Sequence, residues 1–255
     1  MADNPDYLRL QGRSLLVTGA SSGIGRATAI AASAHGARVA IVARREDALE
    51  STRAELVGEG HIVVPFDVTD HAGIAGMVRS VADRIGPLDG VLHAAGVHAT
   101  TPLRAMTAKR LTELFDVNVT TAAMLVKAFR HPSVRGADPS VVLMSSAVGL
   151  VGEAGVSAYA ASKAAVASLA RSLGLELARE GIRVNSIAAG VVTTALTDEI
   201  RASVGADGWE GIQAAHPLGV GTAQDVADAA LYLLSPASRW VTGTALVVDG
   251  GYTAR

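Results

Sequence analysis

Tyr159 and Lys163 stand four residues apart in the segment Ser145–Lys163, SSAVGLVGEAGVSAYAASK, with Ser146 upstream of them. On a helix, side chains at that spacing project from one face. A free phenol has a pKa of about 10, and a cation within a few ångströms stabilises its phenolate. The pair is therefore a way to hold a proton donor near neutral pH, and the Ser146 hydroxyl can meet the oxygen being protonated. The trio suits moving a proton on or off a carbonyl or alcohol oxygen. It needs a partner that carries hydride.

A site for that partner is written near the N-terminus. Leu15–Val17 is followed by TGASSGIG, Thr18–Gly25, and then by an Ala-rich helical stretch. Gly19 can make a tight turn, while Gly23 and Gly25 let backbone approach a pyrophosphate and pack helix on strand. Ser21, Ser22 and Ile24 complete the loop, and the amides of the helix N-terminus receive the negative charge. No Gly-Lys-Ser/Thr follows, so this is not a nucleoside-triphosphate loop. The second strand ends Ala43-Arg44-Arg45. An acidic residue there would accept from a ribose 2′-OH and repel a 2′-phosphate, whereas Arg pairs with the phosphate. NADP(H) is favoured, with NAD(H) as the alternative in which both arginines are solvated helix-start residues. Asp67, followed by Val68, can accept from the adenine amino group or cap the next turn. Ala94, Ala95 and Gly96 end the fourth strand with little bulk, leaving room for cofactor. His93 before them reads as structural.

The elements that position these groups alternate along the chain. Candidate strands are Leu15–Thr18, Val39–Ala43, Ile62–Phe66, Gly90–His93, Val141–Ser145, Arg183–Ile187 and Ala245–Val248. They are apolar without strict alternation, as strands covered on both faces should be. Candidate helices are Gly23–His35, Ala48–Val57, Ala72–Ile85, Lys109–Phe129, Ser157–Arg179 and Gln224–Leu234, with Asp70 and Ser157 as caps and Gly36 and Gly181 as stops. The pattern predicts α/β architecture, a doubly wound parallel sheet of about seven strands with helices on both faces. One domain over 1–255 is expected, since no linker divides the chain. Thr194–His216, with Gly205, Gly208 and Gly211 among polar residues, reads as a surface insertion or as a lid at the carboxyl ends of the strands. Its apolar residues are Ala195, Leu196, Ile200, Val204, Trp209 and Ile212, and Trp209 either walls a pocket or anchors the lid.

Composition narrows the partners. A net charge of −2 with interspersed signs predicts neither nucleic acid nor an anionic membrane surface. The lack of Cys rules out a disulfide scaffold, thiolate catalysis and a thiolate metal site, and no metal site is expected. The stretch MADNPDYLRLQGRS lacks the apolar core of a signal peptide, and no run approaches the ~18 apolar residues of a membrane span. A cytoplasmic location is expected.

Taken together, TGxxxGxG at Thr18–Gly25, YxxxK at Tyr159–Lys163, the upstream Ser146, Asn118 in the DVNV segment and VDGG at Val248–Gly251 resemble the short-chain dehydrogenase/reductase family over essentially the whole chain. The resemblance implies a Rossmann-like subunit, assembled as a homotetramer or homodimer, that interconverts ketones and alcohols. It implies Tyr159 as acid or base, Lys163 as the group that lowers the Tyr159 pKa and holds the nicotinamide ribose, Ser146 as polariser of the substrate oxygen, and Asn118 as main-chain support for a relay water. Thr194 then contacts the nicotinamide amide, as does the backbone of Val192, with Gly190 in the turn before them. Departures are HAAG at His93–Gly96, where the family has NNAG, Ala189-Gly190 in place of Pro-Gly, and Ser22 where phosphate-preferring members often carry a base. PLGVG, from Pro217, stands for PLGRxG. The general look is nearest to 3-oxoacyl-(acyl-carrier-protein) reductases, so the substrate is a small ketone or alcohol, free or carrier-bound. Arg104, Arg130 and Arg135 are candidates for a carrier-docking patch. The rivals are an NAD-dependent diol, sugar or hydroxysteroid dehydrogenase, and a cofactor-binding scaffold without turnover.

Overall fold

Ser14–Thr18 (β1) is buried at all five positions, because parallel strands flank it on both sides and helices cover both faces. The computed structural model describes residues 7–254; residues 1–6, the start of the polar N-terminal stretch, and Arg255 lie outside the described residues. The other sheet strands are Arg38–Ala43 (β2), Ile62–Pro65 (β3), Leu88–His93 (β4), Arg135–Ser146 (β5), Arg183–Ala189 (β6) and Ala245–Val248, the last described strand. Two short strands, Val192–Thr193 (β7) and Gly221–Thr222 (β8), pair separately, which makes Ala245–Val248 β9. The main sheet has the order β3-β2-β1-β4-β5-β6-β9 with every pair parallel. It is the doubly wound, Rossmann-like sheet expected. Strand order reverses between β1 and β4, so a crevice opens there at the carboxyl ends.

The helices are Gly23–Ala34 (α1), Glu46–Arg53 (α2), Ile74–Ile85 (α3), Ala108–Phe115 (α4), Thr121–Phe129 (α5), Ser157–Leu177 (α6), Ala195–Ala214 (α7) and Ala223–Leu234 (α8). Side chains alternate across each strand. Leu16 and Val91 therefore join the core under α3, α5 and α6, while Leu15, Val17 and Leu92 join the core under α1 and α8. Ile74, Met77, Val78, Val81, Ala82 and Ile85 form the buried face of α3 at helical spacing. Among the described residues no helix is long and apolar enough to cross a membrane.

Four departures from the sequence reading have local causes. The helix expected over Lys109–Phe129 is divided by a π-helical turn at Asp116–Thr120. There the Thr121 hydroxyl donates to the Asp116 carbonyl at 3.2 Å, so a side chain fills the widened turn. Strand β5 starts at Arg135 instead of Val141, with a register shift between Leu88 and Gly90 of its neighbour. Asp138 and Pro139 hide that start from a propensity reading, but the Arg13 guanidinium holds the Asp138 carbonyl at 2.6 Å. The caps also differ: Gly73 precedes α3 and Val156 precedes α6. Asp70 instead accepts from the Gly73 N–H at 3.1 Å, in the turn before α3. Finally, Thr194–His216 is mostly helical. A Thr194–Thr197 capping box starts α7, and Gly205, at φ 71° and ψ −176°, breaks it into two segments.

Candidate active site

The loop after β1 can approach other backbone because it lacks side chains at two points. A Cβ on Gly19 would stand 2.6 Å from the Ala95 nitrogen, and one on Gly25 would stand 2.4 Å from the Gly19 carbonyl oxygen. Gly19 and Gly23 also have φ of 69° and 54°, the left-handed region that glycine adopts without strain. Ser22 precedes α1 with no side-chain cap, and no acidic residue sits in its first turn. The first amides of α1 are thus left for an anion. Arg44 and Arg45 follow β2, both exposed, and neither makes an ion pair among the described residues. Asp67 accepts from the Thr69 N–H at 3.0 Å and the Thr69 hydroxyl at 2.8 Å. Those bonds, with the Arg44 charge as a weaker contributor, hold its carboxyl below the usual range. This is the turn-capping alternative, and it leaves Oδ2 free.

These groups open into one cleft of about 820 Å³ at the carboxyl ends of the strands. It is lined by Gly19, Ser21, Ser22, Gly23, Ile24 and Gly25, then by Arg44, Arg45, Asp67 and Val68. Ala94, Ala95, Gly96, Ser146, Tyr159, Lys163, Gly190, Val192 and Thr194 line it as well. All the sequence-derived site residues except Asn118 therefore share one wall. The glycine cradle, the uncapped helix end and the two arginines fit a phosphate-bearing dinucleotide.

Asn118 is 1% exposed and acts behind that wall. Its Oδ1 accepts from the Val97 N–H at 2.9 Å, and its Nδ2 donates to the Val97 carbonyl at 3.1 Å and the Ser162 hydroxyl at 3.0 Å. It clamps the segment after β4 to α6, which carries Tyr159. The strand end that carries Ser146 is tied to the same helix twice. Ser145 donates to the Lys163 carbonyl at 2.7 Å, and Lys163 Nζ donates to the Met144 carbonyl at 2.9 Å. Gly149 permits this closeness, since a Cβ there would lie 2.8 Å from the Ala164 nitrogen.

Burial governs the titration of the pair. It pushes Tyr159 up to about 12, opposed by a hydrogen bond with the Ser146 hydroxyl. It pushes Lys163 down to about 8. Against the expectation that Lys163 would pull the phenol downward, the Ser146 hydrogen bond is the lowering influence, and desolvation of the buried phenolate outweighs it. His93 lies outside the cleft lining, 2% exposed, with Nδ1 2.8 Å from the Thr18 hydroxyl, in keeping with its structural reading. Trp209 faces away from the cleft, stacked under the Arg201 guanidinium at 5.6 Å. The side chains of Ala195, Leu196 and Ile200 are outside the described residues.

His98, Glu153 and Tyr252 also line the cleft and escaped the sequence reading, while Val204, Gly208, Ile212 and His216 line it from the segment read as an insertion or a lid. The four-residue spacing of Val204, Gly208 and Ile212 marks one face of α7. Of the Arg candidates for carrier docking, Arg104 is exposed in the turn Leu103–Ala105. Arg130 and Arg135 both pair with Glu180 at the amino end of β5, the rim opposite the cleft.

Known proteins agree with this geometry. The family profile described as Enoyl-(Acyl carrier protein) reductase matches residues 19–253. Sorbitol dehydrogenase of Cereibacter sphaeroides is 35% identical over 253 residues, covering 96% of this chain and 98% of that protein. Cis-4-hydroxycyclohexanecarboxylate dehydrogenase of Sinomonas cyclohexanicum is 38% identical over 247 residues, covering 95% and 97%. A solved short-chain type dehydrogenase/reductase from Mycobacterium ulcerans superimposes with a TM-score of 0.90 at 34% identity, covering 96% of this chain and 91% of that one. Fold, cleft and relatives converge on one conclusion: this chain belongs to the short-chain dehydrogenase/reductase family of NAD(P)-binding oxidoreductases.

Proposed function

We propose that the protein is an NADP(H)-dependent oxidoreductase acting on a small ketone or secondary alcohol, with Ser146, Tyr159, Lys163 and Asn118 as its working residues. The observation that carries this is the sharing of one cleft by the Ser146–Tyr159–Lys163 cluster and by two ion-pair-free arginines, Arg44 and Arg45. Arginines that form no ion pair among the described residues are available to a 2′-phosphate. Ala43 beside them adds no repelling charge.

Ser146 orients the substrate oxygen and Tyr159 donates or accepts its proton. When bound, the nicotinamide cofactor supplies the hydride donor or acceptor. Lys163 carries positive charge beside the phenol at neutral pH and holds the ribose end of the cofactor. Asn118 fixes the distance between the β4 end and α6, which keeps the phenol in place. Orientation and general acid catalysis together supply the rate. A phenol pushed up to about 12 is protonated at neutral pH, which favours its service as an acid in the direction of ketone reduction. The α7 face of Val204, Gly208 and Ile212 forms the lid over the reacting groups. With Arg130 and Arg135 engaged by Glu180, Arg104 alone remains of the proposed docking patch, which favours a free small molecule over a carrier-bound thioester.

The test is steady-state NADPH oxidation with a panel of small ketones, beside cofactor binding measured alone. Turnover with micromolar to millimolar KM supports the proposal. Tight NADPH binding with no turnover on any ketone would instead establish a cofactor-binding scaffold.

A further inference from the structure

The substrate half of the cleft carries a carboxylate with little to balance it. Glu153, in the loop between Ser146 and α6, lines the mouth, and the Tyr252 hydroxyl of the C-terminal turn lies 3.4 Å from its Oε2. Two histidines line this half, and both are already engaged by other groups. His98 packs edge-on against the Tyr159 ring at 4.6 Å, and burial, helped by the Lys163 charge, pushes its pKa down. His216 uses both ring nitrogens: Nδ1 donates to the Ile212 carbonyl at 2.8 Å, and Nε2 accepts from the Val191 N–H at 3.2 Å. Lys163 is the remaining base of this half among the described residues, and its ammonium is engaged by the Met144 carbonyl.

The two segments that carry Glu153 and Tyr252 are also fixed. Tyr252 stacks on His216 at 4.8 Å with planes 18° apart. Asp249 fixes the turn that presents Tyr252, accepting from the Gly251 N–H at 2.9 Å and the Thr253 N–H at 2.8 Å. The Thr101 N–H donates to the Gly155 carbonyl at 2.7 Å, tying the His98 segment to the Glu153 loop.

We propose that Glu153 and Tyr252 form a specificity pair that selects neutral, hydroxyl-bearing substrates, a polyol or hydroxyketone, and rejects carboxylates, sulfonates and phosphates. This rests on the preceding reading that a ketone or alcohol reacts at Ser146 and Tyr159. A second substrate hydroxyl donates to the Glu153 carboxylate in a charge-assisted bond. An anionic group in the same position faces a like charge with no cation to meet it.

Three ketones of one skeleton test the pair: 4-hydroxycyclohexanone, cyclohexanone and 4-oxocyclohexanecarboxylate, each reduced with NADPH. The wild type should prefer the hydroxyketone over the carboxylate by about tenfold or more in kcat/KM, with the preference shrinking in high salt. Glu153→Gln should narrow that ratio by at least about fivefold, mainly through the KM of the carboxylate, as expected for a partly exposed charge. Tyr252→Phe should lower the preference for the hydroxyketone over cyclohexanone without helping the carboxylate. A wild type that reduces the carboxylate as well as the hydroxyketone overturns the proposal, as does a ratio that Glu153→Gln leaves unchanged. If NADPH binds and none of the three is reduced, the redox reading fails. Calorimetric binding of the ketones to the NADP⁺ complex then tests the pair alone by the same ratios, and failure of 4-hydroxycyclohexanone to bind overturns it.

Discussion

The Lys163 ammonium lies 5.7 Å from the centroid of the Tyr159 ring, while its hydrogen bond runs to the Met144 carbonyl at the end of β5. One side chain thus spans the strand that presents Ser146 and the helix that presents the phenol. Burial is the dominant influence on the phenol, opposed by the Ser146 hydrogen bond, and leaves Tyr159 raised to about 12.

Replacing Tyr159 with Phe keeps the ring and its packing against His98 while removing the proton donor. A general acid contributes about 10²–10⁴-fold. The variant should lose at least about a hundredfold in kcat, with the NADPH dissociation constant held within a few fold. Retention of more than about a tenth of wild-type kcat would remove Tyr159 from the proposed role.

The pH dependence follows from Lys163. Its pKa is pushed down to about 8 by burial, so the ammonium is present below that pH and lost above it. Tyr159 stays protonated throughout this range. Ketone reduction should therefore hold steady through neutral pH and decline as pH rises through about 8. Lys163→Ala should lack that limb and also weaken cofactor binding. A wild-type reduction profile that is flat from neutral to strongly alkaline pH would contradict the assignment.

Cofactor choice is read at Arg44. Charge-assisted hydrogen bonds contribute roughly 1.5–3 kcal/mol. Arg44→Ala should then cost about ten- to hundredfold in discrimination for NADPH over NADH. Adding Ala43→Asp should deepen the switch by repelling the phosphate and accepting from an unmodified ribose hydroxyl. Equal losses for both cofactors would mean that Arg44 only shapes the adenine end, and a wild type that prefers NADH would point to Ser22 as the stronger feature.

The sheet was legible because its strands are buried on both faces and read as unbroken apolar runs. The cofactor loop was legible because glycine spacing there answers to backbone contact, as the Gly19 and Gly25 approaches show. Tyr159 and Lys163 were legible because helical spacing links sequence to geometry directly. The substrate side was not. His98, Glu153 and Tyr252 come from three separate loops, and only tertiary contact brings them together. Helix α7 was obscured by its glycines: Gly205 does break it, whereas Gly208 and Gly211 stay helical despite low propensity, in the segment that packs on the cleft. The π-helical turn at Asn118 has no pattern of its own, since it depends on the Thr121 hydroxyl and on Val97 across the cleft wall.

His93 gives a stability prediction independent of catalysis. Its ring is sealed in the sheet with Nδ1 against the Thr18 hydroxyl at 2.8 Å, and burial, followed by the Lys163 charge, pushes its pKa down to about 3. In an unfolded chain the same imidazole titrates near about 6.5. Between those two values the unfolded state holds a proton that the folded state refuses, so stability falls as pH falls through that window. Each pH unit within it costs about 1.4 kcal/mol, so this residue alone should remove roughly 2 kcal/mol between pH 7 and pH 5. His93→Asn retains a polar partner for Thr18 and does not titrate. Urea unfolding at the two pH values should show a loss on acidification in the wild type that is smaller by roughly 2 kcal/mol in the variant. An equal acid loss in both proteins would show that His93 takes up its proton without unfolding the sheet.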